Sequence, residues 1–130
     1  MDNTNTLFVG KEYFNASDSP LTKYSVVFED DGKSGYFYAI LRKDDDSQPI
    51  LDAMFIYNVN DVVDKNIPSE VKILWSNDGL KSVLLINNYP HAVFDFENKR
   101  GYCRSNFPPP ENEWAKFSHE WTDDVLNLFK

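Results

Sequence analysis

A chain of 130 residues is the size of one domain and can bury roughly two thirds of the surface that its unfolded form exposes. With 42% hydrophobic residues it is too apolar to be disordered throughout, and no apolar run approaches the ~20 residues of a membrane-spanning helix. Thirteen Lys and Arg against 21 Asp and Glu leave a net charge of −8, which disfavours nucleic acid and anionic membrane as partners and suits a basic protein.

The opening Met1-Asp2-Asn3-Thr4-Asn5-Thr6 is polar, with no basic segment leading into an apolar stretch, so no cleaved leader is expected. The single cysteine, Cys103, allows no internal disulfide and fits a reducing compartment. A cytoplasmic location is the expectation.

Residues 1–22 read as a less regular N-terminal segment, with one strand near Leu7–Val9 and a break at Ser19-Pro20. From Tyr24 the pattern sharpens. Tyr24, Val26 and Phe28 alternate with Ser25, Val27 and Glu29, as in a strand, and Asp31-Gly32 supplies the left-handed residue of a hairpin turn. Gly35–Leu41 returns as its partner. After the charged loop 42–49, Ile50–Val59 predicts a third strand, and Asn60 is placed to cap a single helical turn.

Val71, Ile73 and Trp75 alternate with Lys72, Leu74 and Ser76 up to Asn77-Asp78-Gly79, and Lys81–Ile86 runs back. Pairing Ser76 with Leu80 would set Ile73 opposite Val83 and Val71 opposite Leu85. Asn87-Asn88-Tyr89-Pro90 turns into His91–Phe96, and Glu97–Gly101 turns into Tyr102-Cys103-Arg104. Past the prolines at 108–110, Trp114, Phe117, Trp121, Val125 and Leu128 recur at helical spacing and predict a C-terminal helix over 111–130. The fold class expected is therefore α+β, a single domain over 1–130. It comprises an antiparallel meander of about six or seven strands with that helix packed on it. Its core would include Tyr38, Ile40, Phe55, Val83 and Leu85.

Val27–Gly32 has an echo in Leu74–Gly79, and Asp52-Ala53-Met54-Phe55 has one in His91-Ala92-Val93-Phe94. Either the two halves are a duplication, or hairpins have converged on Asp-Gly for steric reasons.

The patterns that carry chemistry are missing. The five glycines are isolated, the cysteine has no pair, and His91 and His119 are not at ligand spacing, so neither a cofactor nor a metal is expected. Asp44-Asp45-Asp46 is no calcium loop, because Phe55 stands where the bidentate Glu is required. A four-residue loop at Glu97–Arg100 puts Cys103 on the apolar face with Ala92, Phe94 and Phe96, as a buried filler rather than a nucleophile. The same parity places His91, Asp95, Tyr102 and Arg104 on the opposite face, where Arg104 and Tyr102 would serve a small anion or a polar peptide group. An ordinary cross-strand ion pair is the competing reading of those four residues.

The stretches Trp75-Ser76-Asn77-Asp78-Gly79-Leu80, Ala92-Val93-Phe94-Asp95-Phe96 and Gly101-Tyr102-Cys103-Arg104-Ser105-Asn106-Phe107-Pro108-Pro109 resemble a small bacterial family of unknown function. The likeness extends to Asp31-Gly32 and Ile50-Leu51-Asp52-Ala53 and covers about residues 24–122. It implies a bacterial origin and one compact domain. In type, a small acidic chain without catalytic motifs is also similar to the immunity proteins that neutralise polymorphic toxins. The function expected is a non-catalytic protein-binding module, immunity- or inhibitor-like, whose acidic loops and tyrosines take a basic partner. The alternative is a small-ligand sensor built around Arg104.

Overall fold

Two runs of alternating apolar residues, each folded back by short polar turns, lay down two separate meanders. The computed structural model describes residues 3–43, 49–62 and 67–103. The strands are β1 (Asn3–Leu7), β2 (Tyr13–Asp18), β3 (Tyr24–Asp30), β4 (Ser34–Leu41), β5 (Ile50–Asn58), β6 (Ser69–Trp75), β7 (Lys81–Ile86), β8 (Tyr89–Asp95) and β9 (Arg100–Cys103). They form a four-stranded sheet in the order β2-β3-β4-β5 and a five-stranded sheet in the order β1-β6-β7-β8-β9, with all pairs antiparallel.

The turns follow their residues. Gly32 (φ +93°) and Gly79 (φ +72°) take the left-handed conformation in the β3–β4 and β6–β7 hairpins. Asn87 (φ 54°) and Asn88 (φ 64°) form a two-residue loop with both residues left-handed, the geometry that matches strand twist. The Gly79 carbonyl accepts from the hydroxyls of Ser19 (2.7 Å) and Thr22 (3.2 Å), which ties the β2–β3 loop to the other sheet's hairpin.

The sheets share one core. Val26 and Phe28 of β3, Phe37 and Ala39 of β4 and Met54 of β5 meet Val71, Ile73, Leu84, Ala92 and Phe94 of the five-stranded sheet. The rings of Phe37 and Phe94 stack across the interface at 5.1 Å. This is a β-sandwich, whose inner faces interdigitate because each strand alternates apolar-in and polar-out.

The α+β reading with one sheet of six or seven strands is thus corrected. The described residues are nearly all β and contain no α-helix, only a 3-10 turn at Val59–Asp61. That turn is capped by Asn58, whose side chain accepts from the Asn60 amide, not by Asn60. The helix expected over 111–130 lies outside the described residues. Two strands, β1 and β2, occupy the segment read as less regular. One chain makes two sheets because β6 follows β5 in the chain but pairs with β1 and β7 instead of with β5.

Three face assignments also change; in β5 Met54 enters the core and Phe55, expected there, meets Tyr36 on the outer face. In β4 both faces are apolar, and the structure turns Phe37 and Ala39 inward while Tyr36, Tyr38 and Ile40 face out. The hydroxyl of Tyr38 decides this locally: pointing outward, it donates to Glu29 at 3.1 Å instead of being buried in the core. In β6–β7 the Ser76 amide donates to the Lys81 carbonyl, giving a four-residue loop and pairing Ile73 with Leu84 and Val71 with Ile86. A one-residue slip exchanges faces completely, so Leu84 enters the core and Val83 and Leu85 go to the other side. The repeat divides in the same way. Phe28 and Trp75 are equivalent, but Asp52 and Met54 face inward where their counterparts His91 and Val93 do not share the inward positions of Ala92 and Phe94.

Candidate functional site

The residues singled out in β8 and β9 lie on the outer face of the five-stranded sheet. Asp95 pairs with Arg100 and Val93 with Tyr102, so Asp95 and Tyr102 share one face, while Cys103 pairs with Ala92 and is buried in the core. The pairing is displaced by two residues from the one expected, which leaves the parity intact. The Asp95 carboxylate is buried and accepts from the Asn98 amide (3.1 Å) and the Asn98 side chain (2.8 Å), closing the turn that follows β8. The Arg100 guanidinium lies 4.4 Å from the centre of the Tyr102 ring. Burial raises the Tyr102 hydroxyl's pKa, with Arg100 opposing and Asp95 assisting. Pairing passes from Leu84–Ala92 to Leu85–Pro90, so His91 is the extra residue of a bulge, edge-on to Tyr89 at 5.4 Å. Arg104 lies outside the described residues.

This face is closed over its middle. Val83 and Val93 are buried, with Leu74, Leu85 and Tyr102 packed around them. Lys81, also buried, sits between Asp78 (3.3 Å) and Glu97 (3.2 Å). Desolvation pulls the ammonium's pKa down, but hydrogen bonds to Glu97 and Asp78 outweigh it and the net shift is upward.

The outer face of the four-stranded sheet is different. Val27, Tyr38, Ile40 and Ala16 form the floor of a hollow of ≈ 480 Å³, with Phe14 and Ile50 at its sides. Phe14 is 67% exposed and Ile50 59%; Leu21 and Ile67 are as bare, but Phe14 and Ile50 are the two that line this hollow. Tyr36 stacks on Tyr38 at 6.0 Å and meets Phe55 edge-on at 5.9 Å, so the floor continues as an aromatic row. Carboxylates stand at both ends. Asp18 accepts from the Ser25 hydroxyl (2.6 Å) and pairs with Arg42 at 3.6 Å. Glu29 accepts from Tyr38, whose pKa is pushed up to about 12 by burial first and by Glu29 second. Beyond Phe14 a second hollow of ≈ 370 Å³ is lined by Glu12, Glu29, Asp30 and Asp31.

The end of this face is braced from inside. The buried Asp30 carboxylate accepts from the amides of Gly10 (2.9 Å) and Gly32 (2.8 Å) and from the Tyr57 hydroxyl (2.6 Å). Burial and the Asp30 charge raise the Tyr57 pKa strongly. A Cβ on Gly35 would stand 2.7 Å from the Tyr57 ring, so glycine there is what lets the ring lie across β4. The acids and tyrosines were visible in the sequence, but not that β2 exists and gathers them on one face. The signal lay in Tyr13–Asp18 itself, whose Tyr13, Asn15 and Ser17 alternate with Phe14, Ala16 and Asp18.

A family model described as "Uncharacterized protein conserved in bacteria (DUF2251)" matches residues 7–130. The chain belongs to the DUF2251 family. An "Uncharacterized protein" of Haemophilus influenzae (strain Rd) is 42% identical over 88 residues, 68% of this chain and 54% of the relative. The DUF2251 chain thus spans about half the length of the curated relative that it matches. No solved structure matches it. Among its described residues no helix is long and apolar enough to cross a membrane, and no group of three or more His, Cys, Asp or Glu could hold a metal ion.

Proposed function

We propose that this DUF2251 protein is a non-catalytic protein-binding module that docks a basic partner on the outer face of its four-stranded sheet. The observation that carries this is the bare pair Phe14 and Ile50 flanking an apolar floor with Asp18 and Glu29 at its ends. Aromatic side chains with polar tips anchor interfaces at small entropic cost, and the acidic border adds steering. The net charge of −8 extends that attraction over the whole molecule. An inhibitor of the immunity type, working in the cytoplasm, is the form of module that these features suit.

The test is native mass spectrometry of the tagged protein, purified at low salt from its own cells, beside the double variant Phe14→Ser/Ile50→Ser. A basic protein held by the wild type, released by salt and absent from the folded variant supports the reading. Equal capture by both proteins, or capture insensitive to salt, overturns it.

A further inference from the structure

We infer that the partner enters as an added β-strand on the open edge of β2, through an extended segment with basic residues at its ends and a large apolar residue midway between them. The inference rests on the docking face proposed above and specifies how it is occupied.

The argument starts from the hydrogen-bond phase of β2. The Ser19 amide donates to the Tyr24 carbonyl at 2.9 Å, so Ser19 and Tyr24 form a bonded pair at the mouth of the β2–β3 hairpin. Bonded and non-bonded pairs alternate along an antiparallel ladder. In the register Ser17–Val26, Asn15–Phe28 and Tyr13–Asp30, the backbone groups of Tyr13, Asn15 and Ser17 therefore turn toward β3. Those of Phe14, Ala16 and Asp18 turn the other way, and among the described residues no strand lies beyond β2. These three residues are also the ones whose side chains are exposed on the outer face. One set of alternate positions presents both the ladder groups, unpaired among the described residues, and the docking surface.

Edge strands that must stay alone are normally blocked by lysine, proline or bulges. β2 has none of these: its six pairs with β3 run without a register shift, and Tyr13–Asp18 contains neither Lys nor Pro. The opposite edge, β5, has two register shifts against β4 and is preceded by Pro49. Of this sheet's two edges β2 is therefore the open one, and it gives the hollow Phe14, Ala16 and Asp18 where β5 gives only Ile50.

The side chains then define the entering segment. Phe14 and Asp18 are four residues apart, ~13 Å at the rise of a strand, with the small Ala16 between them. A residue opposite Ala16 finds space above it and reaches the floor at Val27, which favours a large apolar side chain. One opposite Asp18 meets a carboxylate that is held by Ser25 and Arg42 on its inner side but still largely exposed, so a cation there shares it with Arg42. One opposite Phe14 lies against a bare ring with Glu12, Glu29 and Asp31 around the adjoining hollow, where a cation gains both ring and charge. The pattern is basic-x-apolar-x-basic, the charge complement of this edge.

The probe is a blocked synthetic peptide with Arg-Thr-Leu-Thr-Arg at its centre, titrated into the full chain, with the same composition in scrambled order as control. Backbone amide shifts and hydrogen exchange are the readouts. Binding of the ordered peptide, slowed exchange at Phe14 and Ala16, and about tenfold weakening by screening salt are expected. Ala16→Pro removes an outward N–H without costing a bond to β3, so it should keep the fold and lose the peptide. Should that variant fail to fold, the peptide N-methylated at the leucine and both arginines, whose amides would face β2, serves in its place. An Ala16→Pro protein that binds as well as wild type, or shifts confined to the face without protection of β2, overturns strand addition and leaves the docking face standing. Absence of any preference for the ordered peptide also overturns it. Loss of peptide binding in Phe14→Ser/Ile50→Ser with edge protection intact in the wild type links the two readings. Retention of binding and protection in that variant refutes the face while keeping the edge.

Discussion

Removing the Tyr57 hydroxyl tests whether the inner brace at Asp30 holds the binding end of the sandwich. Asp30 is 1% exposed and its carboxylate is satisfied by two backbone amides and one phenol. Tyr57→Phe leaves the amides and removes the phenol, a hydrogen bond to a charged acceptor worth about 1.5–3 kcal/mol. For 130 residues the unfolding entropy is ~0.27 kcal/mol/K, so a loss of about 2 kcal/mol lowers Tm by ~7 °C. Gly35→Ala attacks the same contact from the other side, because its Cβ falls 2.7 Å from the ring that the hydroxyl anchors. Displacing that ring costs overpacking strain of about 1–3 kcal/mol and loosens the bond to Asp30. The two effects share one ring, so they must couple. In a Tyr57→Ala background Gly35→Ala should be nearly neutral, since Gly35 is not among the residues with positive φ. Thermal and urea unfolding of the four proteins measure the cycle. Additive costs, or a Tyr57→Phe shift below ~2 °C, would refute the brace.

The register of β6–β7 makes a second test: Leu84→Ala should cost about 2–5 kcal/mol as a core truncation, and Leu85→Ala clearly less, with the reverse order restoring the alternative pairing. Asp78 is held to about 2, below its ordinary 3.8, by the Ser76 hydroxyl first, then the Leu80 amide and Lys81. Its depressed value means that its stabilisation is present above pH 3.8 and fades as the pH falls toward 2. The urea midpoints of wild type and Asp78→Ala should therefore converge over that interval, and a constant gap would contradict the cause. Tyr38, raised to about 12, contributes stability that is full below pH 10 and lost as the pH climbs through 12. Glu29→Gln should move one tyrosine's absorbance titration downward but not to the ordinary value, because burial is the larger cause. An unmoved titration would show that Glu29 does not act on it.

Much of the strand content was legible because local chemistry dictates it. Asp31-Gly32, Asn77-Asp78-Gly79 and Asn87-Asn88 mark three turns, and the alternation between them marks the strands. Faces were less legible where both sides of a strand are apolar. Tyr36-Phe37-Tyr38-Ala39-Ile40 satisfies either assignment until Glu29 is brought beside Tyr38. Loop length in β6–β7 was equally decisive, since one residue more in the turn exchanges Leu84 with Val83 and Leu85. The division into two sheets was not legible at all. It depends on β6 pairing with β1, some 65 positions back along the chain, instead of with the preceding β5, a choice that no local pattern records. The open face followed from β2, and β2 was hidden because polar Asn15, Ser17 and Asp18 dilute its alternation.

That dilution has a physical reason. The inner positions of an edge strand at the rim of a sandwich need not be apolar if a polar partner waits across the gap. Ser17 is buried yet accepts from the Trp75 indole at 2.9 Å, so the indole supplies the apolar bulk and the serine its hydrogen bond. Tyr13 packs on Phe28 at 5.9 Å and continues the arrangement along the same rim. The strand is therefore held by contacts on its inner side, from Asp30 at one end to Trp75 near the other. Nothing in that support requires Phe14 or Ala16, whose side chains make none of these contacts. Residues that a fold does not use, on a strand that the fold holds firmly, are free to be fitted to something else. Here the two unused positions carry a bare ring and a gap, and the exposed carboxylate of Asp18, which also holds Ser25 and Arg42, completes the order that an extended basic segment would complement.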